Sequence, residues 1–228
     1  MIRDNIATIQ QTIKTVVHAC KRTTPVTLIA VSKRKPVTAI KEAIACGQHD
    51  FGENYLQEAV EKITVLNDQS GIFHFIGPLQ SNKVKLAVGH FDLIHTVDRL
   101  KIAKAISKQA TNLGKVQKIL IQVNVGLEPQ KSGVLPDDTD ALLKAIQPLP
   151  SLDVCGLMTI PPQSKNPEAS RPYFRALHDL GIRLKHEGLL AKESAIELSM
   201  GMSGDFHIAI EEGATLIRVG TAIFGTRD

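Results

Sequence analysis

Lys33 stands directly after the first strongly apolar run of the chain, Thr27–Ser32. Reactive side chains of α/β barrels gather at the carboxyl ends of the strands, so a lysine in this place is a candidate for chemistry. Partial desolvation lowers the pKa of an amine from its usual value of about 10.4 and favours the nucleophilic, uncharged form. The alternative is a structural lysine whose stem packs while its ammonium group reaches solvent.

Small and hydroxyl-bearing residues follow two late apolar runs, around Gly201 and Gly220. Glycine lets backbone N–H groups approach a ligand closely, and the hydroxyls of Ser199, Ser203 and Thr221 add donors. The pattern predicts a helix that begins near Ser203, where a helix N-terminus attracts anions. Barrels commonly hold phosphate in the loops after strands seven and eight. A pair of tight glycine turns is the alternative, but position, composition and helix start together favour phosphate.

Polar side chains also mark the earlier strand-like runs. Asn54 offers a donor and an acceptor to a ligand, and Tyr55 offers a ring and a hydroxyl. The same segment is equally typical of a helix start, with Glu53 near the positive end of the helix dipole. His74 and His95 lie inside predicted strands, so each is interpreted first as a hydrogen-bonded core residue and second as a ligand.

Taken together, these residues predict an amine nucleophile after strand one and a phosphate site after strands seven and eight. A phosphorylated aldehyde would satisfy both features, because its carbonyl reacts with an amine and its phosphate needs donors. A Schiff-base aldolase fits the same residues almost as well, so the chemistry alone leaves this alternative open.

Composition narrows the class of protein. The 27 Lys and Arg are mixed with 23 Asp and Glu for a net charge of +4, and aromatic residues make up 4% without a tryptophan. Basic clusters with stacking aromatics are missing, which disfavours a nucleic-acid partner. We find no apolar run of the roughly 18 residues that a membrane span needs, and no signal-peptide pattern. Three widely spaced cysteines without metal-ligand spacing indicate a reducing compartment, which we interpret as the cytoplasm.

Apolar, β-rich runs alternate with amphipathic stretches along the chain. Eight strands are predicted, at Thr27–Ser32, His49–Asn54, Phe73–Gly77, Leu93–Val97, Lys118–Asn124, Val154–Ile160, Ala195–Gly201 and Leu216–Thr221. Eight βα units predict one (β/α)8 TIM-type barrel over residues 1–228, preceded by an extra helix near Asp4–Cys20. An open doubly wound sheet is the second choice, since no strand is followed by a GxGxxG fingerprint.

Several long motifs of the sequence resemble those of the PLP (pyridoxal 5'-phosphate) homeostasis proteins, called YggS or PROSC. The resemblance spans essentially the whole chain, and its motifs are Ala30–Lys33, Phe51–Tyr55, His74–Lys83, Leu198–Ser203 and Arg218–Gly225. It implies a monomeric barrel of the alanine-racemase N-terminal-domain kind. It also implies that these proteins carry or regulate PLP inside the cell, in vitamin B6 homeostasis, without established turnover.

The resemblance also implies roles for individual residues. Lys33 is expected to form the Schiff base with PLP, and Arg218 is expected near the pyridine nitrogen, where it would disfavour protonation. The remaining residues expected to bind the cofactor are Asn54, Ser199, Met200, Gly201, Ser203, Gly220 and Thr221. PLP is the expected small-molecule partner, and PLP-dependent apo-enzymes are candidate recipients that the sequence does not identify.

A PLP-dependent amino-acid racemase is the alternative function. A two-base racemase needs a second proton carrier on the opposite face of the ligand, which alanine racemases take partly from a second domain and a dimer partner. The eight predicted βα units leave no residues for such a domain, which favours binding over turnover. For a racemase, Tyr55, His74 or another residue at the mouth of the barrel would have to supply the second base.

Overall fold

Eight parallel strands pair in chain order and close into a barrel in the computed structural model, which describes residues 1–67, 71–190 and 195–225. The strands are β1 Thr27–Val31, β2 Asp50–Glu53, β3 Ile72–Phe75, β4 Leu93–Val97, β5 Gln117–Gln122, β6 Leu152–Met158, β7 Glu197–Ser199 and β8 Leu216–Val219. Because β8 pairs with β1, with Arg218 beside Ile29, the sheet has no open edge. The predicted TIM-type barrel is confirmed and the open doubly wound sheet is excluded.

Helices alternate with these strands around the outside. They are α1 Ile2–Ala19, α2 Val37–Ala45, α3 Leu56–Leu66, α4 Val84–Ala87, α5 Leu100–Asn112, α6 Thr139–Ile146, α7 Arg171–His186, α8 Phe206–Glu211 and α9 Thr221–Phe224. Short 3-10 turns precede α4, α6 and α7, at Ser81–Lys83, Pro136–Asp138 and Pro167–Ser170. None of the helices in the described ranges is long and apolar enough to cross a membrane.

Among the predicted boundaries that differ from the structure, three affect the interpretation of the site. The helix expected at Ser203 begins at Phe206, because residues 203–205 form a turn in which the Asp205 carboxylate accepts from the Met202 amide. Strand β8 ends at Val219, and Thr221 opens the short helix α9 instead of ending a strand. Glu53 is the buried last residue of β2 and not a helix start, since α3 begins only at Leu56.

The extra helix α1 is confirmed, and it packs against α2, α8 and α9. Its apolar face buries Ile6, Ile9 and Ile13 against the core. Asn5 donates to the carbonyl of Ile223 at 2.8 Å, and Arg22, just after the helix, donates to the carbonyl of Ile210 at 2.6 Å. Since α9 has a single turn, α1 covers the seam between β8 and β1 that a full-length eighth helix would otherwise cover.

Two faces of each strand have different neighbours. Outward residues such as Ile217 and Val219 join the large core between sheet and helices. The barrel interior has its own small apolar cluster, formed by Ile29, Leu93, Leu120, Met158 and Leu216. This alternation follows from the period of two along a strand. Polar side chains occupy other interior positions and extend to the candidate site at the carboxyl ends of the strands.

Candidate binding site at the carboxyl ends of the strands

Lys33 lies in the turn that follows β1 and is half-buried, as expected for a residue at the mouth of the barrel. The residue before it, Ser32, is fully buried. The residue after it, Arg34, has a left-handed backbone with φ of 59° and places its guanidinium 5.1 Å from the centre of the exposed Tyr55 ring. The loop that carries Lys33 therefore has a defined conformation on both sides of the lysine.

A buried ion pair anchors this loop from behind. The Ser32 hydroxyl donates to Glu53 Oε1 at 2.7 Å. Lys62 Nζ, from α3, donates to the same Glu53 oxygen and to the Ser32 carbonyl, both at 2.8 Å. Glu58 Oε1 pairs with Lys62 at 2.5 Å and accepts from the backbone N–H of Arg34. We call Ser32, Glu53, Glu58 and Lys62 the clasp.

Burial dominates the electrostatics of the clasp. It raises the pKa of Glu53 above the usual value, because a carboxylate is disfavoured away from water, while hydrogen bonds from Lys62 and Ser32 oppose the rise. The second carboxylate oxygen of Glu53 is buried without a partner among the described residues. Glu58 and Lys62 are not among the predicted site residues, although their spacing of four on a helix is the signal of such a pair.

Asn54 lies at the end of β2, beside the mouth. Its side-chain oxygen is buried and has no hydrogen-bond partner in the described part of the chain. A buried acceptor without a partner is costly unless a ligand or water satisfies it. The structure therefore leaves Asn54 able to bind a ligand that brings a donor.

Five side chains form one continuous row of hydrogen bonds through the barrel interior, which we call the polar row: Asp50, His74, His95, Ser199 and Arg218. His74 Nε2 lies 3.0 Å from Asp50 Oδ1, and His74 Nδ1 lies 3.0 Å from His95 Nε2. His95 Nδ1 lies 2.8 Å from the Ser199 hydroxyl oxygen, to which Arg218 Nη1 donates at 2.6 Å. The prediction that both histidines are hydrogen-bonded core residues is confirmed.

Arg218 is almost fully buried in β8, and its Nη2 donates to the carbonyl of Thr159 at 2.9 Å. Burial lowers the pKa of Arg218 to about 10, so the guanidinium is still a cation at neutral pH. Burial, which disfavours the charged form, holds the pKa of His95 well below the usual range, and the cationic Arg218 adds to the effect, so this imidazole is uncharged. A fixed cation thus stands inside the barrel between β6 and β7.

The loop residues after β7 have different environments. Ser199 is fully buried with its hydroxyl engaged by Arg218 and His95, and Met200 is fully buried as well. Gly201 has φ of 89°, and a Cβ there would lie 2.5 Å from the Cβ of Ala209. Glycine is therefore required at Gly201 for α8 to pack. Of the four predicted cofactor-binding residues in this loop, Ser203 alone is both outside the core and hydroxyl-bearing.

The ends of β7 and β8 meet at two hydroxyls. Thr221 Oγ1 lies 3.3 Å from Ser203 Oγ, and Thr221 is exposed. Gly220, between Arg218 and Thr221, approaches β1 so closely that a Cβ would lie 3.3 Å from the Cβ of Val31. These contacts bring the predicted phosphate residues Ser203, Gly220 and Thr221 next to the end of the strand that leads to Lys33.

Comparison with known proteins shows the family to which this chain belongs. Residues 2–228 match the family described as alanine racemase, N-terminal domain. A pyridoxal phosphate homeostasis protein of Pasteurella multocida (strain Pm70) is 46% identical over 231 residues, which covers 100% of this chain and 98% of the relative. The chain belongs to the pyridoxal phosphate homeostasis protein family. A second family member, from Escherichia coli (strain K12), is 43% identical over 235 residues, covering 100% of this chain and 97% of its own.

Solved structures extend the comparison. PipY of Synechococcus elongatus PCC7942, a structure with PLP bound, superposes with a TM-score of 0.86 at 38% identity, covering 99% of this chain and 100% of PipY. Alanine racemase from Corynebacterium glutamicum superposes with a TM-score of 0.71 at 19% identity. This chain covers 61% of that racemase, and the likeness concerns the fold alone. The expected membership of the homeostasis family is confirmed.

Proposed function

We propose that residues 1–228 form a PLP-binding domain that holds the cofactor through a Schiff base on Lys33 at the carboxyl end of the barrel. The observation that carries the proposal is the pairing of β1 with β8. Because these two strands are neighbours, the turn after β1 that carries Lys33 leaves the barrel next to the end of β8, which carries Arg218 and leads to Thr221. The family members named above, one of them solved with PLP bound, support the same ligand.

The residues present fit the parts of PLP. Ser203 and Thr221 supply two adjacent hydroxyl donors for the phosphate, and Gly220 lets the backbone approach it. Arg218 brings a cation for the pyridine nitrogen, and the unpartnered oxygen of Asn54 accepts from a ligand. Ser199, Met200 and Gly201 are proposed to shape the pocket from inside the core, since all three are buried.

The Schiff base between Lys33 and PLP would form by condensation of an amine with an aldehyde. Lys33 would hold the group through its amine, which would add to the aldehyde carbon; a carbon–nitrogen double bond would replace the carbonyl, and the oxygen would leave as water. When bound, PLP supplies an electron sink whose strength depends on protonation of the ring nitrogen. Arg218 would bring a cation to that nitrogen and oppose its protonation, so the electron sink would be weak.

We therefore propose a carrier or regulator of PLP in vitamin B6 homeostasis, without substantial turnover. PLP-dependent apo-enzymes are the proposed recipients, because they bind the same ligand. A monomer is proposed from the family resemblance, and static light scattering would measure it. The cytoplasm is the proposed compartment, supported by the unpaired state of Cys20, Cys46 and Cys155.

The experiment for ligand and linkage combines absorption spectroscopy with borohydride reduction and peptide mass mapping. We expect a visible band after PLP is added and a pyridoxyl adduct on Lys33. Lys33→Ala should remain folded and lose the band, whereas Lys35→Ala, a matched change two residues away, should keep it. An adduct on another lysine with Lys33 unmodified would contradict the assignment.

The family match to alanine racemase N-terminal domains makes an amino-acid racemase the second candidate. Exchange of the α-proton and racemisation, measured over a panel of amino acids, separate the two functions. We expect neither with the loaded protein. Exchange at roughly 1 per second or faster, lost in Lys33→Ala, would replace the carrier with the racemase.

A further inference from the structure

The two ends of the polar row fix the direction of its hydrogen bonds. Asp50 ends the row with a carboxylate, which accepts hydrogen bonds, while the guanidinium of Arg218 has donors only. An uncharged histidine carries one N–H and one acceptor nitrogen. Each histidine of the row uses both ring nitrogens, so the proton positions on the two rings are linked.

With both imidazoles uncharged, one arrangement satisfies every group of the row. The Ser199 oxygen accepts from Arg218, and its hydroxyl donates to His95 Nδ1. His95 then donates through Nε2 to His74 Nδ1, and His74 donates through Nε2 to Asp50. Both imidazoles are Nε2–H tautomers in this arrangement. Chains of hydrogen bonds that all point the same way polarise and strengthen one another in a low-dielectric interior.

We propose that Asp50, His74 and His95 are positioning residues, which act through Ser199 to hold the guanidinium of Arg218 in place for the pyridine nitrogen of PLP. The identity of the ligand in this inference rests on the proposed function. The orientation of Arg218 by the polar row does not rest on the proposed function, because every group of the row belongs to this chain.

The apolar neighbours of the polar row indicate that its side chains do more than fill the barrel interior. Leu93, Leu120 and Met158 fill neighbouring interior positions with apolar side chains, and such residues would fill the remaining volume without any need for partners. Replacing buried charged and polar groups by apolar ones of similar volume is often neutral or stabilising. What a fully satisfied polar network provides instead is a single defined geometry, and here the geometry ends at the cation.

The row also reaches the opposite end of the barrel from Lys33. Asp50 and His74 line a cavity of about 550 Å³ at the amino ends of the strands, together with Asp92. Conservation of the amino end of a barrel is usually attributed to stability. The polar row gives this end a part in holding the ligand, through three side chains that need not touch it.

The first measurement uses the cofactor-free protein and nitrogen-15 NMR of its histidine and arginine side chains. In the parent we expect Nε2–H tautomers at His74 and His95, and slow rotation of the Arg218 amino groups. His95→Phe should accelerate that rotation about tenfold, because the Ser199 hydroxyl, which accepts from Arg218, loses the partner that fixes its orientation. Asp50→Asn, at the partly exposed end, should give a smaller acceleration and a rise in the Nδ1–H tautomer of His74.

Asp92→Asn is the matched control, since Asp92 lines the same cavity but bonds the Phe73 amide and lies outside the row. It should leave the tautomers and Arg218 as in the parent. An Nδ1–H tautomer at His95 in the parent would overturn the proposal. So would unchanged rotation of Arg218 in Asp50→Asn, a variant that keeps the reasoning testable if His95→Phe does not fold.

The second measurement adds PLP. The visible band of Asp50→Asn should move toward that of Arg218→Lys and PLP should dissociate faster, whereas Asp92→Asn should match the parent. Borohydride trapping on Lys33 shows that each variant still binds. Identical bands and release rates in Asp50→Asn and parent would refute a role toward the ligand. A parent that binds no PLP would refute the proposed function instead, and the cofactor-free spectra would still decide the role of the row.

Discussion

Replacing Lys62 with methionine should destabilise the fold, because it breaks a buried ion pair from one side. Lys62 Nζ lies 2.8 Å from Glu53 Oε1, and the side chains are 7% and 0% exposed. With an effective dielectric constant of about 20, Coulomb attraction at that distance is about 6 kcal/mol. Desolvation offsets part of it, and breaking a buried pair from one side typically costs about 3–5 kcal/mol. We expect Lys62→Met to fall in that range.

Urea unfolding measures the loss, with Lys85→Met as a control because Lys85 is exposed on α4. The control should change the free energy of unfolding by less than about 0.5 kcal/mol. The double variant Glu53→Gln/Lys62→Met should be more stable than Lys62→Met, since it leaves no buried carboxylate without its cation.

The penalty should also depend on pH. The pKa of Glu53 already lies above its usual value of 4.5 because of burial, and removing Lys62 raises the pKa further. The folded protein then takes up a proton at a pH where the unfolded chain does not, so protonation stabilises the fold. The difference between Lys62→Met and parent should be full above the raised pKa and shrink as pH falls toward 4.5. A loss below about 1 kcal/mol at neutral pH, or one that grows on acidification, would refute the reasoning.

Two further predictions concern the phosphate loops. Gly220→Val should weaken PLP retention at least about tenfold in equilibrium dialysis, because the new side chain meets Val31. The control Gly204→Ala should have no effect, since its Cβ would meet nothing within 4 Å. Equal retention in Gly220→Val and the parent would mean that the phosphate binds elsewhere. Ser203→Ala and Thr221→Ala should each cost about 1–2 kcal/mol of PLP binding, measured by the same dialysis, and unchanged binding in both would exclude the hydroxyl pair.

The barrel was predictable because its strands are short, nearly continuous runs of Val, Ile and Leu, which parallel strands buried on both faces require. The rule that reactive groups lie at strand ends then predicted Lys33 and Thr221 as site residues, whereas the expected role of Arg218 came from the family resemblance. Helix starts were harder. A turn that uses the Asp205 side chain moved the start of α8 from Ser203 to Phe206, and such a turn competes with a cap of similar composition.

The polar row and the clasp were not predictable in the same way. A period of two tells which strand residues face inward, but not which of them meet across a closed barrel. His74 and His95 belong to adjacent strands, yet Ser199 reaches His95 from more than one hundred residues away. Glu58 and Lys62 show a helical spacing of four, which on most helices marks a solvent-exposed pair. Burial turned this pair into the anchor of the Lys33 loop.

The pairing of β1 with β8 constrains when the barrel can close during folding. The bond from Asn5 to Ile223 spans 218 residues, and the bond from Arg22 to Ile210 spans 188. During synthesis, β1 emerges early but gains its second neighbour only when β8 has been made. Until then it presents an open edge, the kind that templates aggregation, and closing so long a loop is slow. Completion of the proposed ligand site and protection of that edge are therefore the same late event.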